Sequence, residues 1–185
     1  PNIVWAGTGE GKIRSHISVG QGIYKSNDAG KTWTLMGLEQ TGRIPRLLIH
    51  PTDPDIVLAC ALGHAYGPQA ERGVFRTTDG GRTWTRTLFT DENAGCSDIA
   101  MDAKDPRILL AGMWTLEIHT WGRDSGGPGS GLFMSRDGGA IGGHGHEIAR
   151  PRAVAFDGMH HAACDRLRLE LERHLVDLAG ELERR

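Results

Sequence analysis

Three Gly-flanked stretches collect the residue types that do chemistry on sugars and peptides. Residues 7–20 hold Glu10, Arg14 and His16; residues 63–72 hold His64, Tyr66, Glu71 and Arg72; residues 114–129 hold Trp114, Glu117, His119, Trp121, Arg123 and Asp124. An aromatic ring offers an apolar face to a sugar ring or a side chain, while neighbouring carboxylates and guanidinium groups satisfy hydroxyls and amides. Glu10, His16, His64, Tyr66, Glu71, Arg72, Trp114, Glu117 and Trp121 are therefore the candidate ligand contacts. The plainer alternative is that they are ordinary solvated loop residues.

Glycoside hydrolysis needs two carboxylates facing one bond, roughly 5–9.5 Å apart. Glu10, Glu71, Glu117 and Asp124 are available in these loops, but chain spacing pairs no two of them, so no catalytic residue is assigned. His144, His146, His160, His161 and Cys164 are zinc-ligand types, yet "HGH" and "HHAAC" match no zinc spacing. No metal and no cofactor is expected. "GTGEG" from Gly7 lacks a following helix, and "GGPGSG" from Gly126 lacks the Lys-Ser/Thr of a phosphate loop, so both read as plain loops.

The bulk composition narrows the partners. With 21 basic and 23 acidic residues the net charge is −2, which gives no argument for nucleic acid or an anionic membrane. No apolar run approaches the ~20 residues of a membrane span. Three cysteines, an odd number without a Cys-x-x-Cys pair, predict no disulfide framework. Gly is the outlier, 27 of 185 residues, about twice the usual share of roughly 7%. That much Gly among alternating apolar patches predicts many tight turns between short strands.

The elements that must position the loops come from an internal repeat. "GIYKSNDAGKTWT" from Gly22, "GVFRTTDGGRTWT" from Gly73 and "GLFMSRDGGAIGG" from Gly131 align, with their Asp at 28, 79 and 137. "NIVWAG" at Asn2, "DIVLAC" at Asp55 and "RILLAG" at Arg107 repeat in step. One unit reads as an A strand, a Pro turn, a B strand, a variable loop, a C strand, an Asp-Gly turn and a D strand. In the second unit these strands are 47–50, 56–61, 73–77 and 83–88, one antiparallel sheet. The recurring turn carries its own hydrogen-bonding kit. Asp28 or Asp79 accepts from backbone N–H groups, Gly30 or Gly81 supplies a positive φ, and Thr32 or Thr83 bonds back across the turn. Trp33 or Trp84 buries a ring between sheets.

Ser26, Asp28, Gly30, Thr32 and Trp33, then Thr77, Asp79, Gly81, Thr83 and Trp84, fill the pattern Ser/Thr-x-Asp-x-Gly-x-Thr-Trp; Ser135, Asp137 and Gly139 open a third copy. This resembles the Asp-box, or BNR repeat, of β-propellers. The frame from residue 1 to about 139 is similar to bacterial proteins with sortilin-type (VPS10-like) repeats, to the two-propeller xyloglucanases and to the photosystem II assembly propeller. The resemblance implies an all-β partial propeller, with the Asp-boxes as scaffold and the B–C loops gathered at the opposite end. It implies a binding or interaction module of a larger extracellular or periplasmic repeat protein, presenting those loops to polysaccharide or peptide. The alternative is a fragment of an Asp-box glycoside hydrolase. The catalytic Asp pair of the xyloglucanases comes from two propellers, and no position here matches either; nor do the Arg triad and Tyr of sialidases. The chain alone is expected to be inactive.

The third box breaks off where Thr-Trp should follow, so its D strand is read as absent. The expected domains are 1–143, about two and a half blades, and 144–185, a His/Arg-rich linker and an amphipathic helix with Leu167, Leu171, Leu175, Leu178 and Leu182 on one stripe. That tail is read either as native or as translated out of frame after Ala140. Closed propellers need ~4–8 blades, so the open sheet edges and the C-terminal helix offer routes to self-association.

Overall fold

The computed structural model describes residues 2–13, 18–140 and the backbone of 146–149. Among these residues all regular structure is extended, in three antiparallel sheets. Strands β1 (Val4–Gly7), β2 (Ile23–Ser26) and β3 (Thr34–Leu35) lie in that order in the first. Strands β4 (Arg46–Ile49), β5 (Val57–Ala61), β6 (Gly73–Thr77) and β7 (Thr85–Leu88) form the second, edge to edge in chain order. The third holds β8 (Ala94–Met101), β9 (Leu109–Ile118), β10 (Arg123–Ser125), β11 (Gly131–Ser135) and β12 (His146–Ala149). There β9 is central to β8, β10 and β11, and β12 pairs with the far side of β11.

The second sheet lies between the other two and is covered on both faces, which explains why β5, with all five residues buried, reads as a continuous apolar run rather than an alternating one. The first two sheets meet through Trp5, Ile23, Met36 and Leu38 on one side and Ile44, Leu47, Ala59, Phe75 and Trp84 on the other. Trp84 stands edge-on to Trp5, with ring centroids 6.4 Å apart, and donates its indole N–H to the Met36 carbonyl at 2.7 Å. The second and third sheets share Leu58, Val74, Leu88, Ile99, Leu109 and Met113. Removing such side chains from water contributes about 1.5–3 kcal/mol each. A bidentate pair from Arg46 to Asp98 also spans these two sheets.

Three expectations are corrected. A disulfide joins Cys60 of β5 to Cys96 of β8, with Cα atoms 5.0 Å apart. The two lie 36 residues apart and meet only because the sheets stack, a proximity that no local spacing announces. The third unit does have a strand in the D position: β12 pairs antiparallel with β11, with a register shift at Leu132/Phe133. Loss of the Thr-Trp pair removed the sequence signature but not the open ladder of β11, which still has N–H and C=O groups to pair. Residues 114–129 are not an irregular loop, because β9 runs on to Ile118 and folds back as β10. The helical tail and the out-of-frame reading lie outside the described residues, as do His144, His160, His161 and Cys164.

Candidate functional site

The two ends of the sheets are built differently. At one end sit the Asp-box turns, each bonded to an A–B turn or a strand start: Ala29 N–H to Asn2 O, Gly80 N–H to Asp55 O, Gly138 N–H to Arg107 O. In the second box the Asp79 carboxylate accepts from Thr83 N–H at 2.9 Å, from the Thr83 hydroxyl at 2.6 Å and from the Thr77 hydroxyl at 2.7 Å. The Thr77 oxygen accepts from Gly81 N–H at 3.0 Å. Ser26, Asp28, Gly30 and Thr32 repeat the set at 2.6–2.8 Å. Ser135, Asp137 and Gly139 keep its first half. Gly30 and Gly81 take φ of 91° and 94°, as the turn requires. These carboxylates are occupied by their own turns.

The other end carries the B–C loops, and Arg72 organises it. Its guanidinium is fully buried and donates to the carbonyls of His64, Gly67, Asn93 and Leu116, which come from the second sheet's loop, the chain entering β8, and β9. Burial pushes its pKa down, while Asp91 and Glu117 push it up and Arg43 pushes it down. Arg43, also fully buried, donates to Gly63 O at 3.2 Å, and its pKa is lowered by burial against the opposing pull of Tyr66 and Glu10. Arg72 thus faces backbone rather than solvent. Arg43 was not singled out in the sequence; only its burial identifies it, and Gly42 beside it carries no signal of that.

Ile118 N–H donates to Ala65 O at 2.7 Å, which sets the β9–β10 hairpin beside the residue after Ala65, Tyr66. Tyr66 is 65% exposed. On the hairpin Glu117 and Asp124 are cross-strand partners and share a face. His119 sits between them, Nε2 at 3.0 Å from Asp124 Oδ2 and Nδ1 at 3.8 Å from Glu117 Oε1. The Trp121 ring stacks on this imidazole, centroids 5.0 Å apart and planes within 5°. Trp121 is 84% exposed, so its other face is open to solvent. A planar apolar face flanked by two carboxylates and an imidazole can stack on a sugar ring and accept from its hydroxyls.

The remaining candidates are placed around this cluster. Trp114 is half-buried beneath the hairpin, packed with Ile13, Leu62 and Leu116, its indole N–H bonded to Ser125 Oγ. His64 is half-buried against Gly42. Glu10 lies in the first loop, bonded through its N–H to Ser18 O. Glu71 is half-buried beside Arg72, and among the described residues nothing ties it to the hairpin. His16 lies outside the described residues.

No family model matches this sequence. A curated xyloglucanase of Paenibacillus sp. is 26% identical over 124 residues, covering 64% of this chain but 11% of that protein. A vacuolar protein sorting/targeting protein 10 of Sordaria macrospora is 32% identical over 94 residues, 49% of this chain and 6% of that protein. The chain therefore spans about a tenth or less of the curated relatives it matches. The crystal structure of an ancestral GH74 enzyme superposes with a TM-score of 0.51 at 22% identity, over 66% of this chain and 15% of that one. The chain has partial homology to Asp-box propeller proteins of these two kinds, and its antiparallel sheets match part of such a propeller.

Proposed function

We propose that this chain is a propeller segment of a larger extracytoplasmic repeat protein and binds polysaccharide through the exposed face of Trp121, with Tyr66, Glu117 and Asp124 alongside. The observation that carries this reading is the Trp121 ring, open on one face and held on the other by an imidazole pinned to Asp124. Partial homology to a xyloglucanase supports a polysaccharide as the ligand class and xyloglucan as the first one to try. The Cys60–Cys96 disulfide supports an oxidising compartment. Among the described residues no helix is long and apolar enough to cross a membrane.

Affinity electrophoresis and calorimetry with xyloglucan, other neutral glucans and peptides test it. The expected result is retention on a glucan that Trp121→Ala weakens by about tenfold or more, in line with loss of an aromatic anchor of about 2 kcal/mol. Equal retention of both proteins, or none of the wild type on any glycan, overturns the reading.

A second reading, a fragment of a glycoside hydrolase, is favoured by the same homology and by two carboxylates, Glu117 and Asp124, across one hairpin. Release of reducing sugar from xyloglucan, lost in both Glu117→Gln and Asp124→Asn, would select it over simple binding.

A further inference from the structure

We infer, on the binding role proposed for Trp121, that His119 is the positioning residue of that aromatic face, and that its charge sets how firmly the face holds a glycan: tightly in mildly acidic solution, loosely in alkaline.

The turn between β9 and β10 fixes its backbone and its rings by different means. Main-chain bonds close it in both directions, His119 N–H to Gly122 O at 2.8 Å and Gly122 N–H to His119 O at 3.4 Å. The plane of the Trp121 indole is set by the imidazole stacked on it, and the imidazole by the two carboxylates that flank it. Asp124 Oδ2 lies 3.0 Å from Nε2, a hydrogen bond; Glu117 Oε1 lies 3.8 Å from Nδ1, an ion-pair distance.

The two protonation states of an imidazole meet this frame differently. The neutral ring has one N–H and one lone pair. With the N–H given to Asp124, the lone pair on Nδ1 faces a carboxylate, and repulsion works to swing the ring off its plane. The imidazolium has an N–H at each nitrogen. It closes on both carboxylates at once, and its charge lies over the indole face, an attraction the neutral ring lacks. Each carboxylate keeps a second oxygen for a sugar hydroxyl.

The other polar groups nearby leave this contrast in place. Arg123 pairs with Ile118, one step from the Glu117–Asp124 pair, and so lies on the opposite face of the hairpin. Buried Arg72 is within electrostatic reach of Glu117, but its two terminal nitrogens are given to backbone carbonyls. Tyr66, on the adjoining loop, brings a phenol.

Histidine side chains change charge between about pH 5 and pH 8, where the Asp-box turns, with Asp28 held at about 2, stay ionised. Retention of the full chain on xyloglucan and other neutral glucans is measured across that range. Trp121 emission, taken as the difference between wild type and Trp121→Phe, is followed beside it in the free chain. Proton and glycan are linked ligands, so affinity should rise by about fivefold or more from the alkaline to the acid end. Trp121 emission should fall over the same range, because a charged imidazole stacked on an indole quenches it. His119→Gln keeps a donor for Asp124 and cannot gain charge. It should hold the weaker, alkaline affinity throughout, with its strands unaltered by circular dichroism. Acid tightening that survives in His119→Gln overturns the inference, and so does Trp121 emission that ignores pH. The two readings fail separately. Retention that Trp121→Ala abolishes but pH leaves unchanged overturns only the role of His119, whereas no retention on any glycan at any pH overturns the binding role and this inference with it.

Discussion

A single aspartate does most of the work in each turn. Asp28 is held at about 2, first by the Thr32 hydroxyl, then by Thr32 N–H and the Ser26 hydroxyl; Asp79 is held lower still by the same three donors, Thr83 foremost. Because these carboxylates are depressed from 3.8 in the folded state, their stabilisation is complete above that value. It is lost as pH falls through the folded value, about 2 for Asp28. Acid unfolding is therefore expected between about pH 4 and pH 2, followed by circular dichroism. Thr32→Val and Thr83→Val remove the leading donor, so each should move the acid midpoint upward; an unmoved midpoint would show that the turns do not control acid stability. The third box has Ile141 in place of that threonine.

The glycines of the turns separate a local requirement from a tertiary one. Gly30 and Gly81 share a φ near 90°, so Ala at either position pays roughly 1–2 kcal/mol for a left-handed backbone. At Gly81 the new methyl also meets Trp5 at 2.6 Å, adding about 1–3 kcal/mol of overpacking. Urea unfolding should thus find Gly81→Ala clearly worse than Gly30→Ala, and equal losses would refute the packing of Trp5 on the turn. Strands and turns of this kind were legible in the sequence because the motif is local. Thr77, Asp79 and Thr83 bond within a few residues, and two copies at equal spacing confirm each other. The β9–β10 hairpin was not legible, since Glu117, His119, Trp121 and Asp124 carry polar signals that read as loop. Of the candidate residues, Glu117 and Trp121 share the β9–β10 hairpin and Tyr66 lies in the loop bonded to it, whereas Arg72 and Trp114, chosen for the same chemistry, turn inward. Side-chain type announces what a residue can do, and only the stacking of sheets decides which way it faces.

At the scale of the molecule, three thin sheets are held by their shared faces and by one covalent tie. Cys60 and Cys96 close a loop across 36 residues, which in the chain-entropy picture stabilises the fold by about 4 kcal/mol. Reduction, or the Cys60→Ala/Cys96→Ala pair, should lower the urea midpoint accordingly; a drop far below that size would mean that apolar packing alone fastens the second sheet to the third. The tie was invisible in sequence for the reason the sheets need it, since its ends are brought together by stacking and not by spacing. The bond from Ile118 to Ala65 has a consequence of its own. It yokes a finger of the third sheet to a loop of the second, so the surface proposed to bind glycan straddles a seam. The proposed grip on a glycan then becomes a gauge of that seam. Reductant or a mechanical pull that lets the two layers slip should weaken adhesion while every strand remains intact.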